Sequence, residues 1–268
     1  MTRLVLAVIA VAAIAAAARA APPDASVRPP LLRDVGLEPH LGAALPLDVP
    51  LRDEDGAAVT LGRYLDGRRP AVLVFAYYGC PMLCSQVLNA LTRSVKALVF
   101  DVGNEFDVVV VSFDPRDGPD AARAKKADIV ARYGRGSAGA GWHFLGGDAP
   151  SVRRLTDAAG FRYAWDEVGQ QFAHVAVVLV VTPDGRIARY FPGIEYPPRD
   201  LRLGLVEASA GRIGTTVDRL LLFCYHYDAA TGRYTPAIES ALRVGGVLTV
   251  LGLGALIVGL RRREGAAA

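Results

Sequence analysis

Two cysteines four residues apart, Cys80 and Cys84, stand in the run Tyr77-Tyr78-Gly79-Cys80-Pro81-Met82-Leu83-Cys84. Side chains at that spacing share one helical face a turn apart, so two thiols would point the same way. In a regular helix their Cβ atoms are about 5–6 Å apart, wider than the about 3.5–4.5 Å of a relaxed disulfide. A bridge would therefore bend the turn, whereas a metal tolerates the wider gap, and paired thiolates make a soft site that suits Cu(I). A dithiol and a metal site both stay open at this point, and oxidation of the pair would switch off the second. Pro81 suits a first helical turn. That puts Cys80 at the N-cap, where unpaired N–H groups and the helix dipole favour a thiolate.

The elements that must position this pair follow from the periodicity around it. Ala71 to Ala76 (AVLVFA) is an unbroken apolar run, the pattern of a strand covered on both faces. From Pro81 to Phe100 apolar residues recur at Leu83, Val87, Leu88, Leu91, Val95 and Leu98, the spacing of an amphipathic helix. Phe106 to Phe113 (FDVVVVSF) reads as another buried strand, ending in Asp114-Pro115-Arg116-Asp117-Gly118-Pro119. A helix from Pro119 to Tyr133, a Gly-rich loop, a strand from Trp142 to Leu145 and a capped helix from Ser151 to Gly160 follow. Val175 to Val181 and Arg186 to Tyr190 flank Thr182-Pro183-Asp184-Gly185 as a hairpin, and Pro198 to Gly211 reads as a closing helix. An earlier hairpin joins Leu45–Leu51 to Ala58–Leu61 through Asp53-Glu54-Asp55-Gly56. This is an α/β order, similar to that of a thioredoxin-like domain with reactive cysteines at the first strand-to-helix junction. In such a fold the strand start after His174 lies beside the cysteine loop, where thiol oxidoreductases carry a cis-proline. Here Phe172-Ala173-His174 stands there, and a neutral imidazole could close a site of two sulfurs and one nitrogen.

The chain of 268 residues has room for one domain with extra segments. Arg3, the apolar run Leu4–Ala18 and Ala18-Arg19-Ala20 read as a signal peptide over residues 1–20. A Pro-rich extended leader is expected over 21–41, the folded domain over 42–211, and a linker over 212–240. Residues 241–262 are expected to form a transmembrane helix, since Val244–Leu260 lacks charge and would extend about 26 Å as a helix. Arg261-Arg262-Arg263 marks the cytoplasmic side, leaving 263–268 as a short tail and the domain on the exported face of a bacterial-type inner membrane. The net charge of +3 is spread along the chain, which excludes a nucleic-acid footprint. Three cysteines leave one thiol over after any single bridge. That third, Cys224, is one residue from His226, and in an extended segment both would face one way. They are candidates for an accessory metal site, and Cys224 for a resolving thiol. His40 and His143 have no evident partners and are read as structural.

Cys80-Pro81-Met82-Leu83-Cys84, the turn Ser112-Phe113-Asp114-Pro115-Arg116-Asp117, and His174 ahead of an apolar strand ending in Thr182-Pro183-Asp184-Gly185 together resemble the Sco/SenC family, over roughly Gly42 to Gly211. The resemblance implies a membrane-tethered, thioredoxin-like protein that binds copper and helps assemble the binuclear copper centre of cytochrome c oxidase. It implies Cys80, Cys84 and His174 as copper ligands. Its implied partners are an oxidase subunit carrying that centre, a thiol reductant of the exported compartment, and the lipid bilayer through 241–262. Asp114 and Asp117 match the family's acidic turn, where they either hold the loop near the site or simply form turn and cap. Many members carry their membrane helix at the N-terminus, so the expected C-terminal anchor is a departure. The first expectation is a copper metallochaperone rather than an enzyme. The alternatives are a thiol-disulfide oxidoreductase in which Cys80 attacks and Cys84 resolves, and a peroxide-reducing relative of the same fold.

Overall fold

A computed structural model describes residues 34–80, 82–136, 138–213, 227–228, 233–234 and 246–254. In chain order the elements are β1 (Gly36–Leu37), β2 (Pro50–Arg52), β3 (Ala58–Thr60), β4 (Ala71–Ala76), α1 (Leu83–Lys96), β5 (Asp107–Ser112), α2 (Pro119–Tyr133), β6 (Trp142–Leu145), α3 (Ala149–Ala158), β7 (Phe161–Asp166), β8 (Gln171–His174), β9 (Val177–Val181), β10 (Ile187–Pro192) and α4 (Pro198–Ser209). Five strands form the main sheet in the order β10-β9-β4-β5-β6. β4 and β6 pair parallel with β5, while β9 runs antiparallel to β4 and β10.

Every residue of β4, β5 and β9 is buried, which is why these strands read as unbroken apolar runs instead of alternating ones. Helices α1 and α2 pack together, α2 lies on β6, and α4 lies on β9 and β10. Helix α2 begins with Pro119 in its first turn and stops at Gly134, whose φ of 70° lets its N–H reach the Val130 carbonyl. Asp148 caps α3, its carboxylate accepting the Ser151 N–H at 2.8 Å.

The cysteine helix departs from expectation at both ends. It starts at Leu83, with Met82 as N-cap at φ −139° and ψ −78°, and ends at Lys96. Cys80 therefore precedes the helix instead of capping it. A second difference is the hairpin β7–β8, which joins β1 in a separate antiparallel sheet of order β1-β7-β8. His174 closes β8 opposite Tyr163, not the strand that follows it.

Among the described residues no helix is long and apolar enough to cross a membrane. Of the expected span 241–262, residues 246–254 are described and are helical, with Val247, Leu248, Val250, Leu251 and Leu253 exposed. The expected signal peptide over 1–20 and the Cys224–His226 pair lie outside the described residues.

Candidate metal centre

β4 delivers the chain into a loop at the carboxyl end of the sheet. The loop's direction is set by Tyr78. Its N–H donates to Asp117 Oδ2 at 2.6 Å, and its hydroxyl donates to the carbonyls of Leu145 at 2.6 Å and Val110 at 3.3 Å. Asp117 Oδ2 also accepts the Ser112 hydroxyl at 2.6 Å, so one carboxylate ties the cysteine loop to the end of β5. Asp114 does different work. It accepts the Arg116 N–H at 2.9 Å and the Arg116 guanidinium at 2.7 Å, and these contacts hold its carboxyl below the usual range against the effect of burial. That guanidinium lies 4.6 Å over the Trp165 ring and 5.9 Å from Phe172, on the hairpin that carries His174. The Ser112–Asp117 turn thus holds both halves of the site, and neither aspartate has a hydrogen bond to a cysteine sulfur.

His174 reaches the thiols from β8. Its ring stands among Phe113, Phe161 and Tyr77, with centroids 5.2, 6.1 and 6.3 Å away. The Val175 carbonyl can only accept, so the 2.9 Å contact to His174 Nδ1 is a donated Nδ1–H. In the neutral ring the lone pair is then on Nε2, 3.2 Å from Cys84 Sγ. Cys84 Sγ also accepts the Tyr77 N–H at 3.5 Å, and Cys80 Sγ accepts the Cys84 N–H at 3.3 Å.

Cys80 Sγ, Cys84 Sγ and a His174 ring nitrogen all lie within 4.8 Å of one another, and among the described residues no other group of three or more His, Cys, Asp or Glu side chains meets in this way. Both cysteines are free and buried. A cation held at about 2.0–2.3 Å from each donor reaches all three with little movement. Cys80 comes close to Cys84 through the loop, not through a shared helical face.

The thiols share one proton. The hydrogen bond from Cys84 holds Cys80 far below the ordinary thiol range against burial, with the Cys84 N–H and Tyr77 adding to it. The same hydrogen bond, with burial and the charge on Cys80, pushes Cys84 upward. Burial first, and then the neighbouring Cys80 sulfur, raises the Tyr77 hydroxyl.

The three residues expected to act together are therefore brought together. His40, whose Nδ1 lies 3.1 Å from the Ala158 carbonyl, and His143, against Asp107 and Tyr64, lie elsewhere. The sequence reading missed the aromatic seat of His174 and the Arg116–Trp165 contact. The signal was there: Phe161, Tyr163 and Trp165 alternate with Arg162 and Ala164, the period of a half-buried strand.

The family model described as SCO1/SenC matches residues 47–205. A protein from Aquifex aeolicus VF5, provisionally named for electron transfer, superposes with a TM-score of 0.57 at 25% identity, over 66% of this chain and 98% of its own. Arabidopsis thaliana ScoI, solved with copper bound, gives a TM-score of 0.51 at 17% identity, over 64% of this chain and 99% of its own. BsSco, a member of the Sco family of cytochrome c oxidase assembly proteins in which a disulfide switch was identified, gives 0.52 at 19% identity, over 65% and 97%. The last two establish the shared α/β thioredoxin-like fold. Comparison with curated proteins finds no match.

Two expectations follow from the loop and the shared proton. Replacing Asp117 by Ala leaves the Tyr78 N–H without its acceptor and costs about 1–3 kcal/mol, read by urea unfolding. Faster hydrogen exchange at Tyr78 than at mid-β4 amides would accompany it, and Asp117→Asn, which keeps one acceptor oxygen, recovers part of the loss. In the reduced, metal-free protein, folded Cys80 is depressed below the unfolded thiol value of about 8.5. The unfolded chain then binds more protons, and stability rises with pH up to that value. Above it the unfolded chain loses two protons while folded Cys84 keeps its own, so stability falls. Unfolding midpoints between pH 6 and 10 should show this maximum, and the Cys80→Ser/Cys84→Ser variant should lack it.

Proposed function

The chain belongs to the SCO1/SenC family, whose model spans residues 47–205, and on that premise we propose that it is a copper metallochaperone of cytochrome c oxidase assembly. The observation that carries this reading is the convergence of two sulfurs with a histidine nitrogen whose lone pair faces them. Copper is cargo here, held by the Cys80 and Cys84 thiolates and His174 Nε2. Two soft sulfurs and an imidazole favour Cu(I). The acceptor is an oxidase subunit that carries the binuclear copper centre.

Release begins at His174, because one nitrogen yields more easily than two thiolates. Loading needs both thiols reduced, which calls for a thiol reductant in the exported compartment. Residues 1–20 as export signal and 241–262 as anchor put the domain on the exported face of the inner membrane. Cys224 and His226, in the linker between domain and anchor, are an accessory site that receives copper during transfer.

The proton shared by the thiols supports a second reading, a thiol-disulfide oxidoreductase that reduces the acceptor's cysteines. Cys80 is the readier thiolate and would attack, and Cys84 would resolve the mixed disulfide. The two roles alternate in one molecule, since only the reduced pair holds Cu(I).

Cu(I) titration of the full, reduced chain against a chromophoric chelator, with X-ray absorption at the copper edge, separates these readings. One equivalent bound through two sulfurs and one nitrogen is expected. His174→Ala should weaken binding by at least about tenfold, a loss seen even for residues that only orient a ligand, while circular dichroism stays unchanged. Copper content indifferent to both Cys80→Ser and His174→Ala would sink the chaperone reading and leave the redox one.

A further inference from the structure

At the other end of the sheet a buried carboxylate faces a histidine across a polar cleft. His143 of β6 pairs with Val109 of β5, and Asp107, two residues before Val109, shares its face. The strand is six residues long, so about 17 Å of β5 separate Asp107 from the end that supports the thiol loop.

Each side chain is held from behind. Arg69 Nη2 takes Asp107 Oδ2 at 3.0 Å. The His143 ring lies against Tyr64, centroids 4.4 Å apart. What remains is Asp107 Oδ1, with its side chain 8% exposed and no hydrogen bond to that oxygen. His143 Nε2 is 3.8 Å away, too far for a hydrogen bond. A buried carboxylate oxygen that accepts no hydrogen bond is costly, and such groups call for an explanation. Both residues line a cleft of about 330 Å³. Glu54 in the same cleft is already engaged by Lys126 and by the Phe144 N–H at 3.0 Å.

We propose that Asp107 Oδ1 and His143 Nε2 form a second cation site, taking a divalent first-row ion such as Zn(II) or Cu(II). A cation about 2.0–2.2 Å from a carboxylate oxygen and an imidazole nitrogen bridges a 3.8 Å gap with an open angle, and water from the cleft completes its coordination. Imidazole with carboxylate suits these ions, whereas Cu(I) prefers sulfur. The two ends of the sheet therefore sort metals by hardness. Arg69 on Oδ2 and Tyr64 on the ring act as orienting partners for the ligands. Five carboxylates line the cleft against four basic side chains, so its field does not repel a cation.

The test uses the full chain with Cys80, Cys84 and Cys224 changed to Ser and His174 to Ala, so that no thiol competes. Zn(II) is titrated by calorimetry and Cu(II) by electron paramagnetic resonance. One equivalent with coupling to a histidine nitrogen is expected. Adding His143→Gln should remove that coupling and weaken binding by at least about tenfold, and Asp107→Asn should weaken it independently, with circular dichroism confirming the fold in each case. Absence of binding at submillimolar metal overturns the proposal, as does binding whose affinity and spectrum survive His143→Gln.

Discussion

The arrangement depends on one short contact, the Tyr78 N–H donated to Asp117 Oδ2 at 2.6 Å. A loop leaving a fully buried strand carries backbone groups that must find partners away from bulk water. The turn that follows β5 supplies one as the Asp117 carboxylate, and the same oxygen binds Ser112 Oγ. The sulfurs then accept two further donors, the N–H groups of Tyr77 and Cys84. Those two backbone donors are satisfied by the sulfurs themselves, so satisfying the backbone there also orients the thiols. A loop tied elsewhere would still carry two cysteines, but their sulfurs would not face His174.

The imidazole is placed by different physics. Phe113 is wholly buried and touches the rings of Tyr77, Tyr163, Phe172 and His174, so the residue that follows β5 into the Asp-Pro turn also seats the histidine. Apolar rings fix where the imidazole lies, and the Val175 carbonyl fixes which nitrogen carries the proton. Low polarity around the sulfurs strengthens whatever charge is satisfied there and penalises a second one. This is why one thiolate is stabilised while the other thiol keeps its proton. A cation removes that conflict by replacing the proton between the sulfurs, which couples metal loading to proton release.

The sequence made the central layer easy to read, because strands buried on both faces leave continuous apolar runs: Ala71–Ala76 is β4 to the residue, and Pro119–Tyr133 is α2, bounded by a proline and a glycine. The thiols and His174 were legible by residue type. What eluded the reading lies where local pattern competes with tertiary demand. Pro81-Met82 looks like a helix start, yet the loop must keep Cys80 back toward Tyr77, and the helix waits until Leu83. The hairpin β7–β8 is half exposed and its turn has Gln170 at φ 47° instead of a marker glycine at that position. The Asp107–His143 pair spans 36 positions of sequence and becomes visible only through the register of β5 and β6.

That the donors come from separate elements bears on how a metal can leave. Cys80 sits in the loop and Cys84 in the first turn of α1, linked by the Cys84 N–H on Cys80 Sγ, and the loop is bound to β5 through Asp117, whereas His174 ends a hairpin strand in a different sheet. A metal held by all three cross-links the two sheets. Loss of the nitrogen therefore requires only that the hairpin and loop separate slightly, while loss of either sulfur must also disturb hydrogen bonds within the loop itself. The Arg116 guanidinium, held by Asp114 and stacked on Trp165, is the contact that resists this separation from outside the site. Arg116 is itself largely exposed. The Arg116–Trp165 contact thus couples the hairpin that carries His174 to the Asp-Pro turn that holds the cysteine loop, so the relative position of the two sheets and the geometry of the three donors are set together.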